Sequence, residues 1–437
     1  MTTLDVSEPK SQTYSQSSSV GSRSWIALGM LGFVYVLNFL DRQLLAILAK
    51  PIQDSLELSD SQLGLIGGLY FALFYCFISI PVGWLADRTN RVKVLTLACA
   101  IWSAATVACG LSTNYFQLVV ARMTVGFGEA GGVPPSYAII SDYFPPHRRG
   151  TALGIYNLGP PIGAALGIAF GASIAGVLGW RYAFIILGGV GLVAALALRL
   201  IVREPKRGGL DDVTTVHSNS VPAPRTSFLE TLKMFFTNTP LLLTALGSGV
   251  TQVITYGMGN FAVLFLMREK GMTFDEIAVY FALTVAIAMG AGILVSGRMV
   301  DHFTRRSKAA YGWLPAVTLA LAIPVYVGFV WAPTWRLALL FLTGPMFLNY
   351  FYLTSSVTLV QQSVRPDQRV MSGALLLLIM NFIGLGFGPT FVGLVSDHFH
   401  ASHPAHSLQF ALYALAPFYI LAIALFVFLA RAPSMSG

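Results

Sequence analysis

The segment "GWLADRTNR" (83–91) is matched in pattern by "GRMVDHFTRR" (297–306). Each opens on a glycine, places an aspartate four residues later, ends in basic residues, and follows a long apolar run. A second pair, "FPPHRRGTALG" (144–154) and "VRPDQRVMSGA" (364–374), stands one apolar hairpin further along each half. Two unrelated helical bundles would not be expected to share both loops, so the chain reads as one unit written twice.

Composition identifies the solvent. Apolar residues make up 55% of the chain and charged residues 11%, against about 25% charged in soluble domains. The apolar stretches fall at 25–49, 62–86, 92–112, 115–138, 150–178, 181–201, 239–267, 276–300, 312–332, 335–361, 370–396 and 407–430. Twelve membrane spans follow. Residues 1–24 are polar and read as a disordered cytoplasmic tail with no cleavable signal. Residues 203–227, rich in Gly, Pro, Ser and charge, read as a cytoplasmic linker between bundles at 25–202 and 228–431, with a short tail at 432–437. The predicted fold class is an all-α membrane protein, two pseudo-symmetric bundles of six helices.

Of the 27 Lys and Arg residues, five (Lys50, Arg181, Arg268, Lys270, Arg336) lie on one side with the N-terminus inside, two lie within spans, and the other 20 lie on the inner side. That bias predicts cytoplasmic termini in a multi-pass cell-membrane protein, with a bacterial inner membrane expected. It also accounts for the net charge of +8, leaving no case for a nucleic-acid partner. Cys76, Cys99 and Cys109 all fall in spans and read as core residues. The four histidines of "DHFHASHPAH" (397–406) read as a solvated outer loop, so no metal site and no cofactor is expected.

Only four charged residues sit deep in spans: Asp41 and Arg42 in "VLNFLDRQLL" (36–45), and Arg122 and Glu129 in span four. Each costs on the order of 2.5–3.5 kcal/mol to insert, so each calls for a partner, a cavity or a task. Tyr35, Asn38, Asp41 and Arg42 are spaced to form one polar stripe on span one. Arginine stays charged while a partly buried carboxyl can bind a proton, so an anion arriving at Arg42 and Arg122 would release Asp41 and Glu129 for protonation. A structural role for these ions, pairing spans one and four, is the alternative.

The doubled loop, "GIYNLGPPIG" (154–163) in span five and "GWRYAF" (179–184) before span six resemble the major facilitator superfamily, over nearly the whole chain. "VYVLNFLDR" (34–42), "DSQLGLIGGLYFALF" (60–74), Asn90 and "GFGEAGGVPPSY" (126–137) are similar to the Spinster family within it. That resemblance implies an alternating-access transporter of single-chain phospholipids such as lysophospholipids or sphingosine-1-phosphate. It implies Asp41 and Glu129 for proton coupling, Arg42 for the head group, and by the charge argument Arg122, Asn38 and Tyr35 beside it. Gly83, Asp87, Arg88, Arg91, Asp142, Arg149 and Asp301, in or beside the repeated loops, are the expected gating residues. The partners expected are a lipid-like anion, protons and bilayer lipids, for a monomer.

Two further readings compete. One is a proton-coupled organic-anion or drug transporter with the same charge set. The other is a multi-span lipid enzyme, but no histidine lies inside a span and no phosphate-binding glycine loop is present, so no catalytic residue is assigned and the chain is not expected to be an enzyme.

Overall fold

The computed structural model describes residues 21–207, 228–365 and 368–433, and the described residues form helices joined by short connections. Of the tail predicted at 1–24, residues 1–20 lie outside them, as do 208–227 of the linker and 434–437, while Ser22, Arg23 and Ser24 already belong to the first helix. Among the described residues, eleven helices are long and apolar enough to cross a membrane. Numbered as crossings, these are spans one (Ser22–Ile47), two (Asp60–Ala86), three (Arg91–Leu111), five (Arg148–Leu178), six (Trp180–Ile201) and seven (Thr239–Arg268). The rest are eight (Phe274–Thr304), nine (Ala310–Trp331), ten (Trp335–Ser363), eleven (Met371–His400) and twelve (Ser407–Ala430).

The remaining crossing, span four, is two helices, Tyr115–Glu129 and Val133–Tyr143, each too short to span alone. The break falls directly after Glu129. Non-helical backbone at membrane depth is tolerated only where protein or a cavity receives its polar groups, so this break marks an interior position. In span five the run Gly159, Pro160 and Pro161 reads in the sequence as an interruption of the helix. The helix breaks at Asn157 and Leu158 and restarts at Gly159, with the prolines in its first turn, where their missing N–H groups cost nothing.

The two halves repeat one packing plan. Span three lies against spans four and six, and span nine against spans ten and twelve; span one lies against span five, and span seven against span eleven. Between the halves, span one meets span seven, two meets eleven, and five meets eight. Twelve crossings put residues 21 and 433 at the same end, here the termini face; the opposite end is the far face.

At the far face the halves are in tight contact. The outer helix of span two (Asp60–Gly67) packs on the outer helix of span eleven (Gly388–His400) through two glycines. A Cβ on Gly64 would stand 2.4 Å from the Pro389 carbonyl oxygen, and one on Gly393 2.3 Å from that of Asp60. Only glycine permits backbones this close. Gly83 at the termini face is also a residue type that lets helices approach closely, but a Cβ there would meet nothing within 4 Å. No helix is closed onto that glycine in this conformation, because the tight seam lies at the opposite end.

Candidate functional site

Spans one and four bring the four buried charges together as crossed pairs. Arg42 Nε donates to Glu129 Oε2 at 2.6 Å. Arg122 Nη1 lies 3.8 Å from Asp41 Oδ2, an ion pair too long for a hydrogen bond. The adjacent residues Asp41 and Arg42 point about 100° apart on the helix, so each reaches a different partner. Asp41 and Glu129 are both 1% exposed.

The surroundings hold these side chains from three sides. Thr106 of span three lies 3.0 Å from Asp41 Oδ2 and 2.9 Å from the Trp102 carbonyl, so its single hydroxyl hydrogen can serve one of them at a time. The Arg42 guanidinium stands over the rings of Tyr75 (4.7 Å), Phe39 (5.0 Å) and Phe71 (5.4 Å), and Arg122 over Phe71 (5.4 Å). Phe71 is thus shared by both cations. From the other half, Tyr256 of span seven is in electrostatic range of Arg42. Tyr35 is stacked on Tyr156 of span five at 4.4 Å.

Several atoms of this cluster have no hydrogen-bond partner among the described residues: Asp41 Oδ1, Glu129 Oε1, Asn38 Oδ1, and Nε and Nη1 of Arg122, the last of which keeps only its longer ion pair to Asp41. Buried polar groups are almost always satisfied, and an under-paired guanidinium beside under-paired carboxylates can accept an anion while releasing a proton site. The arrangement suits exchange of partners better than a closed structural lock.

A second constellation seals the far face. The Asp60 carboxylate, 2% exposed, accepts both Arg268 Nη atoms (3.0 and 2.8 Å), the Ser396 hydroxyl (2.6 Å) and Gln53 Nε2 (2.7 Å). Asp397 of span eleven accepts the N–H groups of Asp60 and Ser61, each at 2.9 Å, and the Ser61 hydroxyl. It therefore caps the first turn of the outer helix of span two from across the seam, where orphan N–H groups favour an anion. Beside it, Glu269 accepts the N–H groups of Leu408 and Gln409 (2.9 and 3.3 Å), while burial pushes its carboxyl above the ordinary glutamate range.

The expected gating residues at the termini face are dispersed. Arg91 joins Asp142 (2.6 Å) and Glu204 (2.7 Å), tying the loop after span two to span four and to the start of the linker. Arg149 donates to the Ser141 and Phe144 carbonyls (2.7 and 3.0 Å). Arg88 stacks on Trp84 at 4.1 Å, Asp301 is exposed, and the Asp87 side chain lies outside the described residues.

Sequence reasoning missed Thr106, Phe71, Tyr75 and the whole far-face network. A threonine or aromatic in a span is ordinary, and Asp60 and Arg268 sit at span ends, where charge reads as topology. Among the described residues no group of three or more metal-ligating side chains is assembled, the histidine loop included. The three cysteines are buried and free.

The profile of the Major Facilitator Superfamily matches residues 31–389. An "MFS-type efflux pump" of Mycolicibacterium smegmatis is 30% identical over 396 residues, 90% of this chain and 89% of that protein. "Protein spinster homolog 1" of Xenopus laevis is 25% identical over 415 residues, 89% of this chain and 77% of that one. The crystal structure of "A Bacterial Homolog to Human Lysosomal Transporter, Spinster, in Inward-facing And Unoccupied Conformation" superposes with a TM-score of 0.88 at 32% identity, covering 94% of this chain and 98% of that one. With its doubled six-span plan, its ions buried between spans one and four, and these relatives, the chain belongs to the Major Facilitator Superfamily and is a membrane transporter homologous to the Spinster proteins.

Proposed function

We propose that this transporter moves an amphipathic anion, a lysophospholipid or a sphingosine-1-phosphate-like lipid, by proton-coupled alternating access. The observation that carries the reading is the crossed set of under-paired ions, Arg42 with Glu129 and Arg122 with Asp41. A phosphate head group drawn to the two guanidiniums takes over contacts now made to the carboxylates. A buried carboxyl that loses its cation holds a proton more readily, so anion and proton are carried together and obligatory exchange is disfavoured. Asp41 and Glu129 are the proton carriers in this reading. Arg42 and Arg122 bind the head group, with Asn38 and Tyr35 beside them.

In this reading the tight seam closes the far face, and the termini face, which the basic-residue bias makes the cytoplasmic side of a bacterial inner membrane, is the open one. Gly83, Asp87, Arg88, Arg91, Asp142, Arg149 and Asp301 then act when the termini face closes, and Asp60, Arg268 and Asp397 when the far face does. A proton-coupled carrier of a small organic anion or a drug would use the same charges, and the printed name of the mycobacterial relative keeps that second reading in view. The chain is taken to act as a monomer.

The test is transport by purified protein in proteoliposomes against lysophosphatidic acid, sphingosine-1-phosphate, sphingosine and small organic anions, with and without an imposed pH gradient. Lipid phosphates moved faster under an inward proton gradient are expected. Small anions moved in preference would replace the lipid reading with the second one.

The head-group role makes a sharper demand. Arg42→Ala should weaken binding of sphingosine-1-phosphate on the order of a hundredfold, the loss of a charge-assisted contact of roughly 1.5–3 kcal/mol, and leave sphingosine nearly unchanged. Arg42→Lys should recover only part of the loss, since ammonium lacks the planar fork. Equal losses for both ligands would make Arg42 a fold-holding ion.

A further inference from the structure

One cavity between the two halves is apolar. A cleft of about 320 Å³ lies on the seam between the halves, walled by Cys76 and Phe77 of span two, Leu246 of span seven, and Leu378, Ile379 and Phe382 of span eleven. Its volume falls at the lower end of the range for ligand sites, about 300–1,000 Å³. Phe77 and Phe382 meet edge to face across the seam at 5.9 Å and are 61% and 41% exposed. The cleft therefore opens sideways, at the depth of the spans, where the surrounding medium is hydrocarbon.

Two further observations give the cleft a direction. The first is that span two is a wall common to both sites: Phe71 and Tyr75 face Arg42, while Cys76 and Phe77, turned roughly 100–200° round the same helix, line the cleft. One helix thus presents aromatic side chains to the charged site on one side and walls the apolar cleft on the other. The second is the short helix Phe228–Thr237, which contributes Phe236 to the cleft. Leu229, Lys233 and Phe236 recur at four and seven residues and are exposed, while Phe235 is fully buried and anchors the helix. Two apolar side chains and a lysine on one exposed stripe describe a helix lying in a membrane interface, its ammonium reaching the head groups.

We propose that this cleft is the tail subsite of the transporter. It takes the single alkyl chain of a lipid phosphate from the leaflet at the termini face, with the Phe228–Thr237 helix at its mouth and the head group at Arg42. This inference rests on the lipid-phosphate reading above. The cleft answers a requirement the charged site leaves open, because a site for the head alone gives the apolar chain of a lipid no surface to bury against.

The experiment uses full-length protein in phosphatidylcholine nanodiscs and a lysophosphatidic acid carrying a diazirine near the end of its chain. Irradiation should label peptides containing Cys76–Phe77 and Leu378–Ile379, and unlabelled lysophosphatidic acid should compete the label away. Ile379→Trp and Leu246→Trp, each filling the cleft, should reduce labelling by at least about tenfold, equivalent to roughly two displaced methylenes. Binding of butyl phosphate, which has too short a chain to use the cleft, should be unchanged in both variants and so certify their folding. Label concentrated on the seam between spans five and eight would overturn the proposal. So would cleft label that unlabelled lysophosphatidic acid does not compete and that a diazirine-tailed phosphatidylcholine reproduces equally, since that describes bilayer lipid resting on the surface. If butyl phosphate fails to bind the native chain while competed cleft labelling persists, the head-group reading falls and the tail site stands.

Discussion

Arg268→Ala is expected to populate the conformation open at the far face on the order of a hundredfold more than the native chain does, from the loss of one partner of a buried ion pair, about 3 kcal/mol. Asp60 is held by both Nη atoms of Arg268 at 3.0 and 2.8 Å and is 2% exposed, so in the variant it stays desolvated without its cation. Ser396 and Gln53 remain as donors, which keeps the effect near the lower end of the range for broken buried pairs. Opening the seam rehydrates Asp60 and relieves the cost. Distances between spin labels on spans two and eleven at the far face would read the shift, and an unchanged distribution would remove Arg268 from the gate. Gly393→Ala should act in the same direction more weakly, about tenfold, because its new Cβ meets the Asp60 backbone at 2.3 Å and overpacking costs roughly 1–3 kcal/mol. Gly83→Val should leave this conformation unaffected, since nothing lies within 4 Å of its Cβ position.

Glu129→Gln should abolish the response of transport to a pH gradient while preserving substrate binding. The amide keeps the shape of a protonated carboxyl, so the variant resembles the proton-loaded state at every pH. An anionic ligand then no longer competes with a carboxylate for Arg42. Its Kd should fall, by about tenfold if the ion pair has a net worth near 1.4 kcal/mol. Uptake of lysophosphatidic acid into proteoliposomes with and without an imposed gradient, alongside equilibrium binding of the same lipid, separates the two effects. Undiminished pH-driven uptake would move the coupled proton to Asp41, the other carboxylate of the crossed pairs, which Thr106 reaches at 3.0 Å.

What could be read from the sequence was whatever depends on composition along one helix or on repetition between halves. The buried charges Asp41, Arg42, Arg122 and Glu129 stand out because an ion in an apolar run carries a large cost, and no folding information is needed to see them. The interruption of span five was legible to within two residues, since consecutive prolines are accommodated best in the first turn of a helix. The break after Glu129 was not, because "GEAGG" (128–132) is compatible with a continuous membrane helix, and only the packing of span four shows where it divides.

Partner choice was decided by the tertiary structure alone. Twelve spans, a duplicated plan and a charged N-terminal half follow from hydropathy and spacing, which are properties of the chain in one dimension. That Arg42 takes Glu129 and Arg122 approaches Asp41 depends on the distance and rotation between two helices that are 87 residues apart at their contact. Asp60, Arg268 and Asp397 carry no mark of a shared role in the sequence, because a charge at a span end is stable in water and needs no partner to exist there. They become a seal only when the glycine contacts at Gly64 and Gly393 let the two halves close to backbone distance, which removes the water that had been solvating them.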